Sequence, residues 1–250
     1  MASQPIYQLY AELCDYEPKM WRRFQVTNNI TMARLGYILM TMFEMQASHL
    51  FCFDVPVSEN FQKCVGEYIE NETNRKALDL FCEKPELTNL HIELLDEDGF
   101  SDFAAQVLDA AETKVKNVLN HESEEMLFSY DYGDGWTVSL TLEKLFEDKA
   151  LSGKDLPRVI EGIGYGILED CGGTDGLEEI AKAFKKKKGT QYKDYCEWLG
   201  TENLDLSAFD MDDMNFRLKK VPRIYAELYE YGLEPTKQSI NLLTRKYKKL

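Results

Sequence analysis

Apolar and polar residues alternate from the start of the chain. Tyr7, Leu9, Ala11 and Leu13 fall on one side of an extended segment spanning residues 6–13, the period-two signature of a half-buried strand. Residues 21–26 alternate in the same way, with Arg22, Phe24 and Val26 against Trp21, Arg23 and Gln25. A turn around Pro18 joins the two into a predicted hairpin. From Thr31 the period changes. Met32, Leu35, Ile38, Leu39, Met42 and Phe43 recur at helical spacing, directly behind a residue type that caps helix N-termini. Residues 49–55 return to alternation. Strand, strand, helix, strand is the opening of a β-grasp or an α/β roll.

Residues 57–125 are less regular and strongly acidic. They offer a strand at 90–95 and a helix from about 101 to 119, whose stripe includes Phe103, Gln106, Val107, Ala110 and Val118. Residues 126–132 and 136–142 are rich in β-formers and flank Gly133-Asp134-Gly135, a second predicted hairpin. A short helix at 143–149 and an irregular Gly-rich crossing at 157–176 come next. Helices follow at 177–188, 191–199, 211–220, 222–231 and 236–248, the first opened by Asp175-x-x-Glu178 in the manner of a capping box. The fold class expected is α+β: a β-grasp-like or α/β roll with a mixed sheet, followed by a helical C-terminal region.

Composition narrows the function. With 44% hydrophobic residues over 250 positions, the chain is long enough to bury a core without disulfides or metal. No run approaches the roughly 20 apolar residues of a membrane helix, and residues 1–13 lack a basic region followed by an apolar one, so a cytoplasmic protein without membrane contact is expected. The six cysteines form no C-x-x-C pair, which argues against a zinc ribbon and for reduced, buried thiols. The net charge is −15, but unevenly spread. Residues 217–250 carry nine Lys/Arg against three Glu, leaving −21 on residues 1–216. An acidic body disfavours direct DNA binding; a basic helical tail packed on that body offsets its charge.

Familiar enzyme signatures are missing. Gly162-Ile-Gly-Tyr-Gly166 has Ile167 where a dinucleotide loop needs its third glycine, and no G-x-S-x-G or H-E-x-x-H occurs. Two clusters carry candidate chemistry. Residues 130–136 place Tyr130, Asp131, Asp134 and Trp136 around two glycines, and Glu169-Asp170 precede Gly172-Gly173. If these loops meet His49, then His49, Asp131, Asp134, Glu169 and Asp170 form a divalent-metal constellation, although no cofactor is required by the sequence. Trp21, Arg22 and Arg23 could bind an anion or stack on a base, and with Arg245, Lys246, Lys248 and Lys249 of the tail they make the nucleic-acid candidate.

These segments, in this order, resemble the plasmid pRiA4b ORF-3-like family, which includes TnpR-type passenger proteins of insertion sequences. The likeness rests on residues 6–13, 20–26, 30–43, 48–53, the 130–145 hairpin, the turn and helix at 169–184, and 195–218, with YDYGDGW and ED-x-GG the most specific. Phe51 stands where the family often has a second histidine, and Gly166-Ile167-Leu168 replace residues that often precede the Gly-Gly turn. The resemblance implies an α+β roll spanning 1–216, with an acidic insertion about 57–125 and an added basic tail at 217–250. It also implies an association with mobile elements, but no particular activity. The leading expectation is a non-enzymatic interaction protein of mobile-element or phage origin. Its acidic surface would engage a protein partner such as a basic nucleic-acid-binding protein. Beside it stand a metal-dependent hydrolytic or nucleic-acid-processing domain and a DNA-binding accessory protein of a transposon.

Overall fold

Both predicted hairpins form. In the computed structural model, which describes residues 5–66, 68, 69, 71–83, 89–95 and 106–245, β1 (Ile6–Leu13) pairs antiparallel with β2 (Trp21–Thr27). Further along, β6 (Glu125–Tyr130) pairs with β7 (Trp136–Phe146). Between them lie β3 (Phe51–Val55), β4 (Leu90–Glu93) and β5 (Gln106–Asp109), and β8 (Arg158–Ile163) follows. The strands make one eight-stranded sheet in the order β5-β4-β3-β6-β7-β1-β2-β8. It is mixed, because β4 and β5 run parallel while every other pair is antiparallel.

One helix lies at the centre of the fold. α1 (Met32–Met42) starts where Thr31 Oγ1 accepts the Arg34 N–H at 3.2 Å, and every residue of it except Arg34 is buried. A helix apolar on all sides must be covered on all sides. Tyr37 shows how: its ring meets Phe51 of β3 edge-on at 5.9 Å and stacks on Tyr229 at 5.8 Å. Tyr229 ends α7 (Val221–Tyr229), which packs on α1 together with α6 (Met211–Leu218). α2 (Val57–Gly66) and α3 (Glu72–Cys82) link β3 to β4. α4 (Gly173–Lys186), α5 (Thr190–Leu199) and α8 (Lys237–Leu243) complete the helical C-terminal half. The fold is α+β, as the periodicities predict.

Several local expectations give way to tertiary pairing. The helix expected to reach 119 is, over residues 106–119, the strand β5, a turn and a 3-10 turn at Val115–Asn117. Asp109 ends the strand by accepting the Ala111 N–H at 2.8 Å, while Ala110, Val115 and Leu119 are buried without an α-helix. Apolar spacing near 3.6 arose there from two successive short elements. Residues 101–105 lie outside the described residues. The short helix expected at 143–149 is replaced by an extension of β7 to Phe146, held against β1 through a bulge between Gln8 and Leu9. Within the crossing expected to be irregular, β8 adds an edge strand to β2. α4 begins at Gly173 with Gly172 as its N-cap, so Asp175 sits in the first turn rather than capping.

Arg22 organises this edge. It is fully buried on β2, its guanidinium 4.1 Å from the Phe209 ring centroid and 5.3 Å from that of Phe43. It donates to the carbonyls of Trp21, Ile163, Gly164 and Tyr165 at 2.6–3.0 Å. Burial lowers its pKa, and the four carbonyl dipoles are what make a desolvated cation tolerable there. Arg22 therefore fixes the chain as it leaves β8 toward residues 166–173.

Candidate metal centre

Three loops converge at one end of the sheet, and each is fixed by a nameable contact. The segment after α1 is held by α7: the hydroxyls of Tyr225 and Tyr229 donate to the carbonyls of Met45 and His49. The segment after β8 is held to it by the Ile167 N–H, which donates to the Phe43 carbonyl at 2.9 Å. The β6–β7 turn is closed by Asp131, whose Oδ1 accepts the N–H groups of Gly133 at 3.0 Å and Asp134 at 3.4 Å. Asp131 and Asp170 adopt φ of 54° and 58°, a left-handed backbone that aspartate tolerates better than most residues. Asp134 Oδ2 then accepts the Gly172 N–H at 3.2 Å, joining the hairpin tip to the start of α4.

His49 stands where the loops meet. Its Nε2 lies 3.4 Å from Asp131 Oδ2, 3.4 Å from Glu169 Oε2 and 3.7 Å from Asp170 Oδ1. Both inner carboxylates are oriented by donors on their other oxygen. Glu169 Oε1 accepts the Tyr130 hydroxyl at 2.8 Å and the Gln46 N–H at 2.6 Å, with Ser48 Oγ 3.4 Å from Oε2. Asp131 keeps Oδ1 for its turn and presents Oδ2. Supporting hydrogen bonds of this kind fix the direction of metal ligands. Burial raises the pKa of Glu169, opposed by the Gln46 N–H, the Tyr130 hydroxyl and His49. Burial, followed by the Glu169 charge, raises the Tyr130 phenol. The Asp131 and Glu169 side chains are each only 8% exposed, against 31% for His49 and 77% for Asp170, so the centre opens to solvent on one side.

Sequence reasoning named His49, Tyr130, Asp131, Asp134, Glu169 and Asp170, and the structure brings them together. It parts the others from them. Trp136 is fully buried opposite Tyr130, as a core residue. Arg22 is sealed inside and has no surface for an anion. Arg23 lies on the opposite face of β2, held by both oxygens of Glu143 at 2.7 and 2.8 Å and by Glu161, beside the rings of Trp21 and Tyr10. Arg245 also turns inward, to Glu44 and Asp213, and Lys246, Lys248 and Lys249 lie outside the described residues. Missed by the sequence were Gln46, Ser48, Tyr225 and Tyr229. The four-residue spacing of the two tyrosines on α7 was the one available signal, since it puts both hydroxyls on one helix face.

The meeting of the loops depends on Gly173, at φ 70°, where a Cβ would stand 2.5 Å from the Asp134 carbonyl oxygen. Gly172, at φ 87°, has open space around its missing Cβ. Gly172→Ala is therefore expected to pay only the left-handed backbone penalty of about 1–2 kcal/mol. Gly173→Ala pays that and must also push the hairpin tip away, so its thermal midpoint should fall clearly further. Equal midpoints for the two variants would refute the close approach.

Comparison with known proteins places this architecture. Over 88 residues the chain is 30% identical to the uncharacterized protein y4hQ of Sinorhizobium fredii, a match spanning 35% of this chain and 44% of the relative's length. The fold is similar to the crystal structure of a protein of unknown function, MM3350 from Methanosarcina mazei Go1. That likeness has a TM-score of 0.64 at 21% identity and covers 85% of this chain and 98% of the other. The model of the family described as plasmid pRiA4b ORF-3-like protein matches residues 5–216, so every loop of the His49 centre lies inside the matched region. The chain belongs to the plasmid pRiA4b ORF-3-like family.

Proposed function

We propose that the protein is a metal-dependent hydrolytic domain whose divalent cation is held by His49, Asp131 and Glu169. One observation carries this reading: two buried carboxylates point at the same spot, and among the described residues their one ionic partner is His49. Two anions out of water need more positive charge than one imidazole offers. The spacing fits as well. Ligand atoms about 2.1 Å from a tetrahedral ion lie about 3.4 Å from one another, and 3.4 Å separates His49 Nε2 from each inner carboxylate.

A bound divalent cation would polarise a substrate oxygen and make water a nucleophile near neutral pH. Three protein ligands leave a coordination position free, as catalytic sites require and closed structural sites do not. Asp170, exposed and 3.7 Å from His49 Nε2, would be the base that accepts a proton from that water. The charge of −21 on residues 1–216 raises local cation concentration around such a centre.

Isothermal titration with Mn²⁺, which takes nitrogen and oxygen ligands rather than thiolate, tests the metal, and cleavage of bis(p-nitrophenyl) phosphate tests the chemistry. The expected result is saturable binding at the centre, lost in His49→Ala, with metal-dependent release of nitrophenol that disappears in the same variant. Wild-type binding that His49→Ala leaves intact would overturn the centre. Binding at His49 without cleavage of any phosphate or carboxylate ester would overturn the hydrolytic reading alone.

A further inference from the structure

The outer face of the β3–β4 pair carries a second group of metal-type ligands, separate from the His49 centre. Along β3, Phe51, Phe53 and Val55 point into the core, so Cys52 and Asp54 point the other way. The antiparallel register sets His91 opposite Asp54 and Glu93 opposite Cys52, which puts all four side chains on one face. His91 Nδ1 lies 2.8 Å from Asp54 Oδ1, Cys52 Sγ 3.9 Å from Asp54 Oδ2, and His91 Nε2 3.5 Å from Glu93 Oε2. A thiol sulfur, a carboxylate oxygen and an imidazole nitrogen come within 4.8 Å of one another. Cys52 is 3% and His91 7% exposed.

We propose that Cys52, Asp54 and His91 bind a borderline-soft divalent cation of the Zn²⁺ type. Sulfur together with imidazole selects for zinc-like ions and against Mg²⁺ or Ca²⁺, which take oxygen ligands. Zinc bonds of about 2.3 Å to sulfur and 2.1 Å to oxygen in a tetrahedron place those two atoms about 3.6 Å apart. The 3.9 Å between Cys52 Sγ and Asp54 Oδ2 needs only a small adjustment to meet that. The site is rigid, because all three residues sit on paired strands rather than on loops. A thiol ligates a metal as its thiolate, so a cation here would displace the Cys52 proton. Apart from the metal type, the two centres differ in ligand chemistry: this one contains a thiolate and the His49 triad does not.

That difference supplies the test. Co²⁺ bound to a thiolate gives a near-ultraviolet charge-transfer band, whereas Co²⁺ at a histidine–carboxylate centre does not. Titrating the full chain with Co²⁺, then displacing it with Zn²⁺, is expected to build and erase that band. Cys52→Ser and His91→Ala should each abolish it and weaken Co²⁺ binding at this site by more than the roughly 10–100-fold of a supporting-residue change. Glu169→Gln should leave the band at full height. Far-ultraviolet circular dichroism identifies which variants remain folded, and either of the two serves. A band that survives in folded Cys52→Ser, or no band in the wild-type protein, overturns the site. Loss of binding at His49 with the band intact would overturn only the hydrolytic centre.

Discussion

Glu44→Ala should destabilise the protein by about 3–5 kcal/mol, the cost expected when one partner of a buried ion pair is removed and the other is left in place. Glu44 is buried, and both its oxygens lie 2.7 Å from Arg217 Nη1. Arg245 Nε reaches Oε2 at 3.0 Å, and Arg245 Nη1 continues to Asp213 at 2.6 Å. Arg217 is 1% exposed, so alanine at position 44 would strand its guanidinium without water. Glu44→Gln keeps the shape and loses the charge, and should fall between alanine and wild type. Urea unfolding followed by tryptophan fluorescence reads the difference, with the slope unchanged if the transition stays two-state. A shift below about 1 kcal/mol for Glu44→Ala, the range of exposed pairs, would show that the network contributes no more than surface charges do. Glu44 also begins the segment that carries Gln46, Ser48 and His49. The same variant should therefore weaken cation binding beyond what its stability loss accounts for.

That network explains why net charge was a poor guide to the C-terminal segment. Read as a string, residues 217–250 are a basic tail; in space, Arg217 and Arg245 belong to the interior and meet an acid 173 and 201 positions away. Local chemistry was legible. The Thr31 cap, the α1 stripe and the Gly133-Asp134-Gly135 turn depend on neighbours within a few positions, and each stands where the sequence puts it. His49, Asp131, Glu169 and Asp170 were legible as candidates because short acids beside glycines mark tight turns that can aim a side chain outward. Long-range pairing was not. β5 shows helical spacing yet runs parallel to β4, and β8 hides among glycines because an edge strand buried on one side has little hydrophobic signal. Arg22 and Arg23 are adjacent in sequence, but strand alternation sends one to four buried carbonyls and the other to surface glutamates. Cys52 and His91 looked unrelated because only the β3–β4 register makes them neighbours.

Glu169→Gln is expected to separate stability from function at the His49 centre. Glutamine keeps the acceptor that Tyr130 Oη and the Gln46 N–H use, so the loops stay joined. It loses the charge, and the loss of a direct ligand should lower cation affinity by more than the roughly 10–100-fold typical of supporting residues. In metal-free protein the effect on stability has the opposite sign. Burial raises the folded-state pKa of Glu169 above its unfolded value, so the favourable contribution of this group is present at low pH and is lost as pH rises through the folded value. At neutral pH the wild-type chain bears the cost of a buried charge, and the glutamine chain does not. The variant should thus be the more stable of the two at pH 7 without metal, and the gap should close as acid protonates Glu169 into a near-isostere of glutamine. Saturating Mn²⁺, which the thiolate site disfavours, should reverse the order at pH 7, because ligand binding stabilises only the chain that binds. Thermal midpoints from pH 4 to 8, with and without Mn²⁺, give all of these comparisons in one experiment. A glutamine variant that is less stable than wild type without metal at pH 7, or equally stabilised by Mn²⁺, would remove Glu169 from the ligand set.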